Sequence, residues 1–441
     1  MNNFSRERFK TGEEYSRALF FLSPFIFLFS ISLFQVLNLT LFQGDKYQTI
    51  AESNRIYQKP ISPVRGFIYD RNGTLLAENI VQRDLYVTPA YIEDSAKTIL
   101  TLSNLLDMPY ELLEENFSRG VKKVKKFDSF PLVKALNEEQ IAKAKVNLDS
   151  ISGIEVKATL KRYVLHEETL AHVLGYVGDI SSEDIRRDKL LAELQNIQIG
   201  KTGIEKEFDY VLRGNPGIQT QERDVKGKLV RILDTQGAED GKDIYLTIDQ
   251  KLQDHLFKLF ENRRGALVAL EPKTGLVRAL ISSPSFNPNI LNSIVDTDEV
   301  ESLFSNKESP IFNRAISGQY PPASTLKPFV GLAAIENEVI SWDKKIKDDG
   351  EFYVEGDPRP YRGWKENGHG RVDMRKAIAE SSDVYFYNIA FDLTLAGIRP
   401  MLDSFGFGKK TGLTDFEANG LLPDKKWKLG YKGDFWFKGD T

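Results

Sequence analysis

From Ala18 to Gly44 the chain carries no charged residue and is rich in Phe, Leu and Ile. A bilayer core takes about 20 apolar residues in one helix, so this run is long enough to span once. It is also too long and too uniformly apolar for an ordinary core helix. A cleaved signal peptide is the competing reading. The apolar region is too long for one, and no small-x-small cleavage site follows it. Arg6, Arg8, Lys10 and Arg17 precede the run. Basic residues on that side place the N-terminus in the cytoplasm and export everything after the helix. The expected layout therefore starts with a cytoplasmic tail, residues 1–17, and a transmembrane helix, residues 18–43, with Pro24 a point where it can kink.

The remainder is long enough for more than one domain, since 441 residues suggest about three. A net charge of −4 and the lack of a basic block give no support to a nucleic-acid partner. The chain has no cysteine, which excludes disulfides and thiolate metal sites.

Residues 65–77 read as two short strands joined by an Asn72-Gly73 turn. Residues 90–150 are helical by pattern, with a solvated lysine run at 122–126. Gly200 to Glu205 leads into a helix that ends at Arg213-Gly214-Asn215-Pro216-Gly217. Leu246-Thr247-Ile248 reads as a strand stopping at an N-cap, Asp249, before a helix with Leu252, Leu256 and Leu259 on its apolar stripe. Ala266 to Leu270 and Leu276 to Ile281 form a hairpin around Glu271-Pro272-Lys273-Thr274-Gly275. Asp373 to Glu380 reads as an amphipathic helix, followed by Ser381-Ser382-Asp383 and a second, apolar helix from Val384 to Leu395.

The stretch that points to chemistry is Tyr320-Pro321-Pro322-Ala323-Ser324-Thr325-Leu326-Lys327-Pro328, which enters an apolar helix. Three apart on a helix, Ser324 and Lys327 share a face. A serine becomes a nucleophile when a base takes its proton, and an uncharged lysine can be that base. Burial favours the uncharged amine. The helix N-terminus would favour a developing oxyanion. Ser-x-x-Lys alone is a weak pattern: Ser341-Trp342-Asp343-Lys344 repeats it among charged residues, where it reads as a solvated turn or a helix start.

Taken in order, residues 65–79, Gly200 to Gly217, Tyr320 to Pro328, Gly368 to Asn388 and Phe405 to Gly412 resemble the class B penicillin-binding proteins, in particular their elongation-specific branch. The resemblance implies an α+β multidomain protein. After the anchor would come an elongated pedestal domain, residues 44–248. The transpeptidase domain, an antiparallel sheet with helices, would follow at residues 249–441. It implies a peptidoglycan D,D-transpeptidase that cross-links stem peptides through a serine acyl-enzyme and is inhibited by β-lactams. By position Ser324 is the nucleophile and Lys327 its base. Ser381 would relay protons, and Asp383 would hydrogen-bond the lysine or the substrate. A pedestal of this kind would contact a membrane glycan polymerase. The alternative is a non-catalytic scaffold or polymerase activator of the same build. A β-lactam sensor or β-lactamase would leave the first region unexplained.

Departures from the family pattern carry expectations too. Its third motif is a Lys-Thr-Gly strand. The triplets at Lys201, Lys273 and Lys410 do not fit it, so the chain reads as ending before that motif and as inactive by itself. Ala323 stands where a glycine is usual. Some relatives hold a structural zinc, and His369 matches its histidine. Gly363 and Ser382 replace an aspartate and a cysteine, so no zinc or other cofactor is expected and His369 becomes a hydrogen-bonded structural residue.

Overall fold

The computed structural model describes residues 4–38, 55–122, 124, 126–147, 151–189, 191, 198–224, 229–261, 263–293 and 297–440. The fold is mixed α and β, as expected. A single helix, Phe4–Leu37, joins the polar N-terminal segment to the apolar run. Its Phe20–Leu37 window has a mean hydropathy of 2.1 and is unburied. Pro24 has no N–H to give the Phe20 carbonyl, and the Ser23 hydroxyl donates to it instead at 3.0 Å. That repair keeps a backbone acceptor satisfied where a membrane would offer no water. Residues 39–43 of the expected span lie outside the described residues.

Strands β1 (Ile56–Ile61), β2 (Ile68–Tyr69) and β3 (Leu75–Val87) open the part that follows this helix. The expected turn joins β2 to β3. Gly73 takes a φ of 83°, and the buried Asp70 carboxylate accepts from the Asn72 and Thr74 amides at 2.7 and 2.8 Å. Burial opposes ionisation of Asp70, but the hydrogen bonds from Thr74, Gln250 and Asn72 outweigh it and hold its pKa below the usual carboxylate range.

The length of β3 organises the first domain. Strand β4 (Phe130–Val133) pairs with its C-terminal end, while β5 (Ile154–Val164) pairs with Ala77 to Val87. Helices Ser95–Leu106, Tyr110–Val121 and Glu138–Asn147 close over that end through Leu102, Leu106, Leu113 and Ile141. Strand β4 corrects the all-helical reading of residues 90–150. Four residues are too few for a period, and the pairing that makes them a strand is non-local. Of the lysine run, Lys123 and Lys125 lie outside the described residues.

Strands β6 (Val177–Asp179) and β7 (Gln198–Gly200) pair with each other. Two short helices follow, Gly203–Glu207 and Asp209–Arg213. They carry the acids of a buried ion cluster. Glu205 accepts from Arg65 at 2.7 Å and from Arg162 at 2.6 Å, and Asp209 accepts from Arg65 at 2.9 Å. Two distant stretches, around Arg65 and around Glu205, are thereby clamped together. Gly66 lies so close to the Lys242 carbonyl that a Cβ there would be 2.1 Å from the oxygen. Strands β8 (Gly217–Arg223) and β9 (Leu229–Gln236) complete a three-stranded sheet with β1. Every residue of β9 is exposed, Leu229, Val230, Ile232 and Leu233 among them.

Strand β10 (Ile244–Tyr245) runs parallel to β2, two residues before the strand expected at Leu246–Ile248. Asp249 caps helix Gln250–Leu259 as expected, accepting from the Leu252 amide. The face of that helix is a correction. Leu252 and Leu259 are exposed, while Gln250 and Gln253 point inward. The Gln253 amide both donates to the Leu280 carbonyl and accepts from the Leu280 N–H, at 2.7 and 2.9 Å. It satisfies a strand the way another strand would. The hairpin β11 (Gly265–Leu270) and β12 (Val277–Ser283) forms where expected, with Gly275 at φ 74°.

Behind these, helix Lys327–Glu336 packs on helix Asp383–Ser404 through Val330, Ala333, Ala334, Phe386 and Ile389. The latter helix breaks at Thr394, whose φ is 62°. The expected helix to Leu395 thus ends almost at the break. Helix Met374–Ala379, capped by Asp373, completes this core.

Candidate active site

The Tyr-Pro-Pro stretch leads into one turn of 3-10 helix, Ala323–Leu326, and then into the helix Lys327–Glu336. Ser324 therefore lies just ahead of the α-helix rather than inside it. Residues three apart eclipse in a 3-10 turn, so Ser324 and Lys327 still share a side. Ala323 occupies the left-handed region at φ 48°. For a residue with a Cβ this conformation costs about 1–2 kcal/mol. Ala323→Gly is thus expected to raise stability in urea denaturation by up to about 1 kcal/mol, since glycine's extra chain entropy offsets part of the relief. A fall in stability would refute the strain.

The second element is the turn between helices Met374–Ala379 and Asp383–Ser404. Ser382 caps the second helix, accepting from the Tyr385 amide at 3.2 Å. Ser381 is held at φ 53°, a strained setting of the kind that persists where surrounding structure over-determines it.

The turn brings Ser381 and Asp383 against Ser324 and Lys327, so all four expected residues converge. The Ser381 and Ser324 hydroxyls are 2.8 Å apart. The Lys327 amine donates to the Ser381 carbonyl at 2.9 Å, to the Ser381 hydroxyl at 3.0 Å and to Asp383 Oδ1 at 2.6 Å. The Lys327 side chain is only 12% exposed. Three acceptors around one nitrogen use the three N–H groups of an ammonium. Lys327 thus pairs with Asp383 and meets Ser324 through Ser381 rather than directly. Ser324 itself is exposed.

Sequence reasoning missed two supports. Asp383 Oδ2 accepts from the Trp364 backbone N–H at 3.1 Å, and the Trp364 indole donates to the Glu380 carbonyl at 3.2 Å. Both ends of the turn are thereby fastened to one residue. Beneath it lies a buried cluster. Asp348 Oδ2 accepts from Ser382 at 2.6 Å and lies 2.7 Å from His369 Nδ1, while Asp348 Oδ1 accepts from the Gly350 amide at 2.9 Å. Burial opposes ionisation of Asp348, and the bonds from Ser382, His369 and Gly350 outweigh it, so its pKa falls. Its contribution to stability is present above the ordinary carboxylate range and lost as the pH falls through the lowered value. His369 is hydrogen-bonded and structural in this arrangement. No local spacing marked either Asp348 or Trp364.

The three Lys-Thr-Gly triplets lie elsewhere. Lys201 pairs with Asp184 at 2.5 Å, Lys273 lies in the β11–β12 turn, and Thr411 and Gly412 bond to Glu417. Ser341-Trp342-Asp343-Lys344 is an exposed turn.

Comparison with known proteins agrees with this layout. Residues 60–246 match the penicillin-binding protein dimerisation domain, and residues 265–437 match the penicillin-binding protein transpeptidase domain. The peptidoglycan D,D-transpeptidase MrdA of Escherichia coli K12 is 34% identical over 430 residues, which are 96% of this chain and 68% of that protein. The chain belongs to the class B penicillin-binding proteins. MrdA of Acinetobacter baumannii is 36% identical over 405 residues, 91% of this chain, and the chain spans 60% of that protein's length. Among solved structures, penicillin-binding protein 2 of Helicobacter pylori in complex with MreC superposes with a TM-score of 0.78 at 29% identity, covering 87% of this chain and 72% of that one. In this class B protein, the two stretches clamped by Glu205 fall within the dimerisation match. Ser324 and the Ser381 turn fall within the transpeptidase match.

Proposed function

We propose that this protein is a peptidoglycan D,D-transpeptidase of cell elongation, with Ser324 as nucleophile, Ser381 as proton relay, Lys327 as base and Asp383 as its partner. The observation that carries the reading is the unbroken hydroxyl–hydroxyl–amine–carboxylate chain from Ser324 to Asp383. Ser324 Oγ attacks the carbonyl of the penultimate D-alanine. An O–C ester bond forms, the C–N bond to the terminal D-alanine breaks, and the serine's proton leaves on the departing amine. An acceptor amine then attacks the ester, forms the new amide, and returns a proton to Ser324.

Substrate covering the exposed Ser324 side removes water from the ion pair. In the base role the Lys327 amine, uncharged, takes the proton that Ser381 passes on. β-Lactams would form the same ester, their leaving amine remaining tethered.

The domain division into residues 1–17, 18–43, 44–248 and 249–441 belongs to this reading. So do a cytoplasmic N-terminus, anchorage in the bacterial inner membrane and a periplasmic body. The partner would be a membrane glycan polymerase of the elongation machinery. Fluorescent penicillin tests the reading: the anchored protein carrying the third, Lys-Thr-Gly, strand is expected to label and its Ser324→Ala variant is not. Equal labelling of both would end the enzyme reading.

A further inference from the structure

A cavity of about 520 Å³ lies away from the Ser324 site, between residues 171–172 and 201–206 of the first domain and residues 286, 303–317 and 414–416 of the second. Its walls are apolar and largely aromatic, with Phe286, Leu303, Ile311, Phe312, Ile316 and Phe416 the main contributors. His172 adds a neutral ring. Burial drives its pKa down to about 4, although the Pro284 and Pro310 carbonyls oppose this, and it packs edge-on to Phe286 at 5.4 Å.

The charged residues lining the cavity are Lys201 and Lys206. Lys201 is already paired with Asp184. Lys206 instead has its ammonium 4.0 Å from the centroid of the Phe416 ring. Its pKa is lowered, first by burial and then by Arg187, against pulls from Asp184 and Glu183, with Lys201 adding the smallest push down. The mouth therefore holds a partly buried cation, stacked on an aromatic ring, beside an apolar hole.

We propose that this cavity binds a small soluble anion with an apolar body, its acidic head on Lys206 and its body among the aromatic side chains. The volume is that of a drug-sized ligand pocket, which typically spans about 300–1,000 Å³. It would not take the two acyl chains of a phospholipid. One wall gives the site a route to Ser324. The Ile316 carbonyl accepts from the Ala418 amide at 2.9 Å, and the Gln319 amide donates to the Asn419 carbonyl at 2.6 Å. From there the chain runs directly into the turn that carries Ser324.

The test is calorimetric titration of the whole protein in nanodiscs with 4-phenylbutyrate, with empty nanodiscs as blank. One saturable site is expected. Binding should weaken at least tenfold with 4-phenylbutylamine, which keeps the body and reverses the charge. It should also weaken at least tenfold in Lys206→Met, which keeps the aliphatic stem, and in Ser317→Trp, which fills the hole. Unchanged melting curves for the variants would exclude unfolding as the cause. Absence of saturation, equal binding of the amine, or unchanged affinity in either folded variant would overturn the proposal. Because the readout is binding and not acylation, the proposed reaction stands or falls separately.

Discussion

Lys327→Met is expected to slow acylation of Ser324 by penicillin roughly 10²–10⁴-fold, the range over which a positioned base acts. Methionine keeps an unbranched apolar stem in a site where the lysine is 12% exposed, so the pocket stays filled. The relay geometry adds a sharper expectation. The 2.8 Å contact of Ser324 is with Ser381, and Lys327 reaches Ser381 at 3.0 Å. Ser381→Ala should therefore fall in the same range. The double variant should be little slower than the worse single one, because groups acting as one unit lose their effect together. Rates come from the time course of fluorescent penicillin labelling under single-turnover conditions. Multiplying penalties in the double variant would mean that Ser381 and Lys327 act independently, and the relay would be wrong.

The largest effect on stability is expected at Glu205. Its side chain is fully buried and holds Arg162 and Arg65, themselves only 2% and 10% exposed. Removing one partner of a buried ion cluster leaves charge without compensation, at a cost of roughly 3–5 kcal/mol. Glu205→Ala should lower the urea unfolding free energy of the body lacking residues 1–44 by that amount. Arg162 also donates to the Gly66 carbonyl at 2.8 Å, so the loss should extend to the Arg65–Gly66 segment that enters β2. A change below about 1 kcal/mol would mean that the cluster does not hold the two stretches together.

Much of this was legible beforehand because it is local. The apolar helix through Leu37, the Asn72-Gly73 turn, the β11–β12 hairpin and the Asp249 and Asp373 caps each depend on residues a few positions apart. The site residues were found by their order along the chain and the family it resembles, and the fold brings all four together. What escaped was decided by partners far away in sequence. Strand β4 exists because β3 is beside it. Helix Gln250–Leu259 turns its glutamines inward because Gln253 satisfies the backbone of Leu280, and an apolar stripe alone could not foresee that. The partner of Lys327 escaped for the same reason. Spacing relates it to Ser324, but the carboxylate it pairs with comes from Asp383, on another helix. Asp348 likewise has no local signal, since its partners His369 and Ser382 come from 21 and 34 residues away.

The decisive measurement is peptide mapping by mass spectrometry after the anchored protein carrying the third, Lys-Thr-Gly, strand reacts with penicillin. The expected result is one penicilloyl ester, on the peptide that contains Ser324 and at that hydroxyl, absent in Ser324→Ala. An adduct on any other residue, or none at all from properly folded protein, contradicts a nucleophile at Ser324.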